Sequence, residues 1–414
     1  MTVNCVHEYI REEIMMLKLC KFLLCTAFSA VWIVFAPAVV RADVPVDAEH
    51  FPDESFREYI SEMCDNDHDG TLSTAEIDGV TAIDLSFWGI SDLKGIDHFT
   101  ALESLDCSFC NLTSLDVSNN TKLTYLDCSY NKLTNLDAGS NTLLEQLYCA
   151  GNRLTRLDVS KNPALEYFDC EFNELTVLDV SKNSSLRGLL CDDNQLTDLY
   201  VGNNSILETL SCSSNELKTV DVSRNSSLKI LGCGSTQLTS LDISNNPKLE
   251  ILSCGSNQLT DLDISKNPIL EELWCCENQL STLDLSNNPD ISSLLAWGNK
   301  FNKIDVSAIK ELEYLDYGQY EETGSYKITL DPEKKLLIYE NSNLKPNKKI
   351  KVGKKATLNA KKKIGRVETS DDTIVSVSAR GKKIKIKGLA TGTVTVTAYD
   401  KKDNEIRKWI VQVK

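Results

Sequence analysis

Histidine is nearly missing from this chain. The 414 residues include four, His7, His50, His68 and His98. None stands in H-E-x-x-H or in a Cys/His zinc pattern, so the common zinc-hydrolase signatures are excluded. No G-x-S-x-G elbow occurs, which leaves α/β-hydrolase chemistry without a nucleophile. Carboxylates are plentiful, but they recur with the chain's periodicity. A glycosidase needs one pair in opposite environments, and nothing marks such a pair. No groove-reading motif is present, and the net charge is −16, so nucleic acid is not an expected partner. No second long apolar run follows residue 43, and the C-terminal residues Trp409–Lys414 contain no wall-sorting motif. These absences point to binding or structural work rather than catalysis.

The N-terminus carries the one long apolar run. Lys18 and Lys21 precede Phe22–Val40, and the run closes on Val40-Arg41-Ala42. That pattern reads as an export signal over residues 1–42, cleaved after Ala42. The alternative is an uncleaved membrane anchor, since the run is near bilayer length. The acidic stretch Met1–Glu13 suits neither, which makes Met15 or Met16 the better first residue. No lipobox precedes Cys25. The expected location is secreted, or on the cell surface without a covalent tether.

Charge is divided unevenly. Residues 344–414 hold 20 Lys and Arg against 6 Asp and Glu, whereas residues 43–343 hold 20 against 51. An acidic body and a basic tail imply a domain boundary and separate partners.

The body is periodic. Cys107, Cys128, Cys149, Cys170, Cys191, Cys212, Cys233, Cys254 and Cys275 are spaced 21 residues apart, and Ala296 and Tyr317 continue the series. Five residues before each stands Leu or Ile, from Leu102 to Leu312. Two before stands Leu, with Phe168 the exception. Three after stands Asn, except for Cys110 and Thr236. The pattern L-x-x-L-x-C-x-x-N-x-L resembles the leucine-rich repeat over residues 80–320. A second column runs ten residues after each Cys, from Val117 to Val306, within L-D-V-S-x-N. One such unit cannot bury its own apolar side, so stacked coils share a core. The expected coil is mostly β, both halves extended, with rungs about 4.8 Å apart.

Fifteen cysteines in an exported chain suggest disulfides. In-register neighbours, however, hold their Cβ vectors side by side, a poor bridging geometry. The ladder thiols are therefore expected to be free, buried apolar filler. Cys110 and Cys276 break the pattern and are the candidates for reactive thiols.

Residues 65–76 read Asp65-Asn-Asp67-His-Asp69-Gly70-Thr71-Leu-Ser73-Thr-Ala-Glu76. The motif resembles the EF-hand calcium loop, and the resemblance implies one Ca²⁺. Asp65, Asp67, Asp69, the Thr71 carbonyl, Ser73 and Glu76 would be its ligands. The site is expected to be weak and structural, in a small helical cap over residues 43–79. An entering helix is expected at Asp53–Cys64, with Phe56, Tyr59, Ile60 and Met63 on one face.

Residues 347–414 alternate in short β-prone runs separated by turn residues, which predicts a β-sandwich. Val352-Gly-Lys-Lys355, Ser370-Asp-Asp-Thr-Ile-Val-Ser and Gly388-Leu-Ala-Thr-Gly392 resemble the group 2 bacterial immunoglobulin-like domain. Residues 321–346 read as a connector. The order of helical cap, repeats and immunoglobulin-like tail resembles the internalins. The fold class is thus mainly β: a solenoid of 21-residue repeats, an EF-hand-like cap and a C-terminal sandwich. The basic tail is either a solvated surface or an attachment to anionic cell-wall polymer.

Residues between the ladder positions should face the concave side. There stand Tyr125, Tyr130, Tyr148, Tyr167, Phe172, Trp274, Trp297 and Tyr314, among Asp106, Asp127, Asp169, Asp192 and Asp193. They are either anchors for an extracellular protein or glycan, or stacks that stabilise neighbouring rungs. A monomer is expected.

Overall fold

The computed structural model describes residues 42–301, 304–310 and 314–316. Within the C-terminal part it describes 348–351, 354–359, 363–364, 366–369, 373, 375–380, 382–390, 392–399 and 405–413. The expected export signal, up to residue 41, and the expected connector lie outside the described residues. The chain divides into two compact units between Tyr339 and Glu340.

The first unit opens with the strand Val44–Pro45, which pairs antiparallel with Thr71–Leu72. Between them runs helix α1, Glu54–Met63. Asp53 caps it by accepting from the Phe56 amide, satisfying one donor that the helix leaves free. Phe56, Tyr59 and Ile60 are buried, but Met63 is 62% exposed, against expectation. The helix ends there, and the next residue, Cys64, takes the inward position instead. Helix α2, Thr74–Gly79, follows with a reciprocal capping box between Ser73 and Glu76.

Twelve parallel strands of three residues each then form one sheet, in sequence order from Ala82–Asp84 to Tyr314–Asp316. Each rung pairs with the one 21 residues away, as in Leu105↔Leu126 and Leu126↔Leu147. The inward Leu and Cys side chains fuse with the cap residues Phe51, Phe56, Ile60 and Leu72 into one continuous core. Gly95 joins cap to coil at φ +103°, and a Cβ there would strike the Phe51 ring at 2.6 Å. Glycine alone fits that turn.

The described cysteines are free and buried. Cys149 Sγ lies 3.3 Å from the Asp169 carbonyl and Cys191 Sγ 3.3 Å from that of Ser211, so thiols donate weakly to the next rung. Among the described ladder cysteines burial pushes the thiol up, to about 12 at Cys233. Cys110, expected to be reactive, is 7% exposed, donates to the Leu85 carbonyl at 3.2 Å, and is likewise raised by burial. Cys276 is buried too, at 8% exposed. Neither environment activates a thiol.

The half of each coil opposite the sheet departs from the expected second strand. Asp116, Asp158, Asp179, Asp221, Asp242, Asp263 and Asp284 each accept from the amide two residues on, for example Ser118 N at 3.0 Å from Asp116. This Asx turn offers the backbone a local partner in place of a ladder. At position 200 Tyr replaces Asp, and there an isolated parallel bridge, Tyr200↔Asp221, does form.

In the second unit two small sheets share a core of Leu358, Ile364, Val375, Ile384, Ile386, Val396 and Ala398. One is three-stranded and antiparallel, in the order Lys355–Asn359, Lys383–Gly388, Val375–Arg380. The other has four strands: Lys348–Ile350, Glu405–Val413, Gly392–Tyr399 and Arg366–Thr369. The last of these has no counterpart among the expected runs. Its alternation is carried by Arg366 and Glu368, which pair with each other on the exposed side.

Candidate recognition surface and candidate metal loop

Alternation on a three-residue strand fixes which side chains leave the core. With Leu in the middle and Cys just beyond the strand end, the residues three before, one before and one after each Cys emerge on the other face of the sheet. The in-register stacking lines them into three columns. Among the described residues these columns contain carboxylates at Asp106, Asp127, Asp169, Glu171, Asp192 and Glu272, and no Lys or Arg. Basic residues stand only at the rim, where Arg187 and Lys229 grip Glu208 at 2.8 and 2.6 Å.

The acidic end is crowded. Asp84, Asp106 and Asp127 lie side by side on successive strands. Burial, with the charge of Asp127 beside it, pushes the Asp106 carboxyl up to about 6. Asp192 is 2% exposed and accepts from the Ser211 hydroxyl and the Ser213 amide of the next rung. In the middle rungs the columns hold Ser211, Ser213, Gly232, Gly234, Ser253 and Gly255, so the backbone itself approaches the surface. Beyond them stand Trp274 and Trp297.

The structure sorts the expected aromatic anchors. Tyr125 and Tyr167 are half-buried on the face, and Trp274 is partly buried against Leu190, Ile230 and Ile251. Tyr148 is only 2% exposed: its hydroxyl meets Gln146 Oε1 at 3.1 Å and its ring leans on Tyr125 at 5.7 Å. Trp297 is 6% exposed. These two are wall rather than platform. The side chain of Tyr314 lies outside the described residues.

Tyr130 and Phe172 sit elsewhere, at the turn two residues after the Cys. There the backbone is left-handed in every rung from Phe109 (φ 52°) to Gly298 (φ 70°). A bulky residue in that region costs about 1–2 kcal/mol. The coil imposes it because the turn amide must reach the next rung, as Phe109 N does to the Ser129 carbonyl at 2.9 Å. Phe87, Phe109 and Tyr130 stack there with centroids 4.5 and 4.4 Å apart. Phe87 and Phe109 are 72% and 45% exposed, and the sequence reading missed both. Their shared offset from the Cys column was the available signal.

In the cap, oxygens of Asp65, Asp67 and Glu76 gather within 4.8 Å of one another. Asp65 is 1% exposed and accepts from the amides of Asp69 and Gly70 at 3.2 and 2.9 Å. Gly70 turns the loop at φ +85°. Glu76 reaches back to Asn66 N at 2.7 Å and Ser73 N at 2.8 Å; its hydrogen bonds with Ser73 contribute most to holding its carboxyl below the usual range. Asp69 accepts from the Thr71 amide and hydroxyl, and the Thr71 hydroxyl bond is the largest cause of its lowered pKa. His68 is exposed.

The coil and its ladders define a leucine-rich-repeat solenoid protein. No family model matches the chain. A stretch of 71 residues, 17% of this chain, is 37% identical to Internalin J of Listeria monocytogenes serotype 4b (strain F2365), and it spans 8% of that relative's length. Two solved structures share the fold. One is the functional domain of InlJ from Listeria monocytogenes, which includes a cysteine ladder: TM-score 0.55, 24% identity, 91% of this chain and 99% of that chain covered. The other is the internalin InlF of Listeria monocytogenes strain 4b F2365: TM-score 0.53, 20% identity, 67% and 95% covered. The fold is that of the internalin-like bacterial leucine-rich-repeat proteins.

Proposed function

We propose that this chain is an exported bacterial binding protein that holds an extracellular protein or glycan on the non-core face of its parallel sheet. One observation carries the reading. A rigid face presents carboxylates, half-buried aromatics and bare backbone without an opposing cation. Such a face offers preorganised contacts at little ordering cost. Its chemistry is recognition, since no nucleophile or activated base stands on it. The full-length protein on a glycan array and an extracellular-protein panel tests this. The triple variant Tyr125→Ala, Tyr167→Ala, Trp274→Ala should lose more than tenfold in affinity for any ligand found. Val177→Ala, on the exposed flank, should retain binding. Equal binding by both variants would place the site elsewhere.

The cap loop is read as a calcium site. The side chains of Asp65, Asp67, Asp69, Ser73 and Glu76, with the Thr71 carbonyl, offer only hard oxygen donors, which suit Ca²⁺. The ion would compete with the Asn66 and Ser73 amides for Glu76. Because Thr71–Leu72 pairs with Val44–Pro45 rather than with a second loop, such a site would stiffen the cap. Millimolar Ca²⁺ should raise the thermal midpoint of the wild type and not that of Asp65→Asn; no shift in the wild type refutes the site.

A further inference from the structure

The second unit carries a surface that its own fold does not explain. In the three-stranded sheet, Leu358, Ile384, Ile386 and Val375 point into the core. The alternate residues therefore share the opposite face. Lys355, Lys383, Lys385, Lys387 and Arg380 all lie on that face and are exposed, between Thr357, Ser376 and Ser378. No Asp or Glu occurs in these three strands.

The register sets like charges opposite one another: Lys355 faces Lys387, and Arg380 faces Lys383. Like charges directly opposite across a sheet destabilise it. The other sheet handles its cation differently: Arg366 pairs with Glu368 and lies 3.8 Å over the Tyr399 ring. Uncompensated repulsion confined to one face marks a surface shaped by something outside the unit.

We propose that this face docks a linear phosphodiester polymer of the cell-wall polyol-phosphate type. Lys383, Lys385 and Lys387 repeat at about 6.7 Å along the strand. Successive phosphates of poly(glycerol phosphate) are separated by as many backbone bonds as residues i and i+2 of a strand, so an extended polymer can match the lysines one to one. Neighbouring strands, about 4.8 Å away, add Lys355 and Arg380 to the same row, and the Ser and Thr hydroxyls donate between charges. The proposal leans on the export reading only for where the polymer is met. It is independent of what the solenoid holds.

The test titrates full-length protein with lipid-free poly(glycerol phosphate) across a salt series. The triple variant Lys383→Gln, Lys385→Gln, Lys387→Gln should bind at least tenfold more weakly and flatten the slope of log K against log salt by about 2. It should also melt no lower than wild type, because it removes repulsion. The corresponding Lys→Arg triple should bind like wild type. Undiminished polymer binding by the Gln triple would overturn the proposal. So would equal affinity for poly-glutamate, which would make the face a carboxylate reader. Self-association of the chain abolished by the Gln triple, with no polymer bound, would assign the face to the acidic solenoid of a second copy and refute the polymer. Polymer binding by a chain shown to stay inside the cell would leave the site standing and overturn the export reading.

Discussion

Two asparagine columns run the length of the coil, and they do different work. The one beside the strands, such as Asn194, donates to the carbonyls of Cys170, Cys191 and Asp192 and accepts from the Leu175 amide at 3.0 Å. The one on the opposite side, such as Asn183, donates to the carbonyls of Val159 and Asn162. Both of those already receive a backbone amide, from Asn162 and Leu165 respectively. Its own Oδ1 finds no donor in the protein, as is true of Asn120 through Asn288 in that column. Burying an unmatched acceptor costs free energy, whereas an amide with no alternative acceptor is costly to abandon. The strand side of the coil is therefore held by necessary bonds and the far side by supplementary ones.

The sharpest way to break this comparison is to delete one member of each column. Asn194→Ala should cost about 2–4 kcal/mol, because it orphans the buried Leu175 amide and removes several carbonyl contacts. Asn183→Ala should cost about 1 kcal/mol or less, because it also removes an unmatched oxygen. Urea midpoints of the two variants decide it, and equal losses would dissolve the distinction.

Carboxylates divide along the same line. Asp106, on the sheet, is raised to about 6, chiefly by burial. Asp116 and Asp179, in the opposite turns, are lowered, chiefly by their hydrogen bonds to Ser118 and Ser181. A raised acid favours the fold while protonated, so its contribution is present below about pH 4 and fades as pH climbs through 6. A lowered acid contributes above about pH 4 and fails below it. Stability should therefore peak between the two windows. Asp106→Asn should gain about 1–3 kcal/mol over wild type at pH 7.5 and little at pH 4, measured by denaturation at both values.

The smallest effect is a repair. At position 236 Thr replaces the strand-side Asn; its hydroxyl lies 3.1 Å from the Cys233 carbonyl and 2.7 Å from Asn257 Oδ1. Thr236→Asn should restore the Leu217 amide's acceptor and raise stability by about 1 kcal/mol, read as a higher urea midpoint.

The spacing of Leu, Cys and Asn made the coil legible, because each serves the same neighbour contact in every rung. The far half was misread as a strand because Asp-Val-Ser alternates like one. Only the carboxylate's reach to the amide two residues on turns it into a bend. The site was less legible. Alternation told which residues leave the core, but Tyr148 and Trp297 are covered by neighbours one rung away, and no pattern within a strand reports that. Cys110 looked like an outlier with a free thiol. Its position lacks the ladder Asn because Asp53 Oδ2 from the cap serves the Ser91 amide at 2.8 Å instead.

The left-handed turn accepts Phe109, Tyr130, Gly151, Phe172, Asp193, Ser214 and Glu277 without changing course. Closure of the coil, not the residue, dictates its backbone. Each rung thus offers an open socket whose contents can be exchanged by a single codon while the frame stays put, so specificity can drift along the surface faster than the scaffold beneath it.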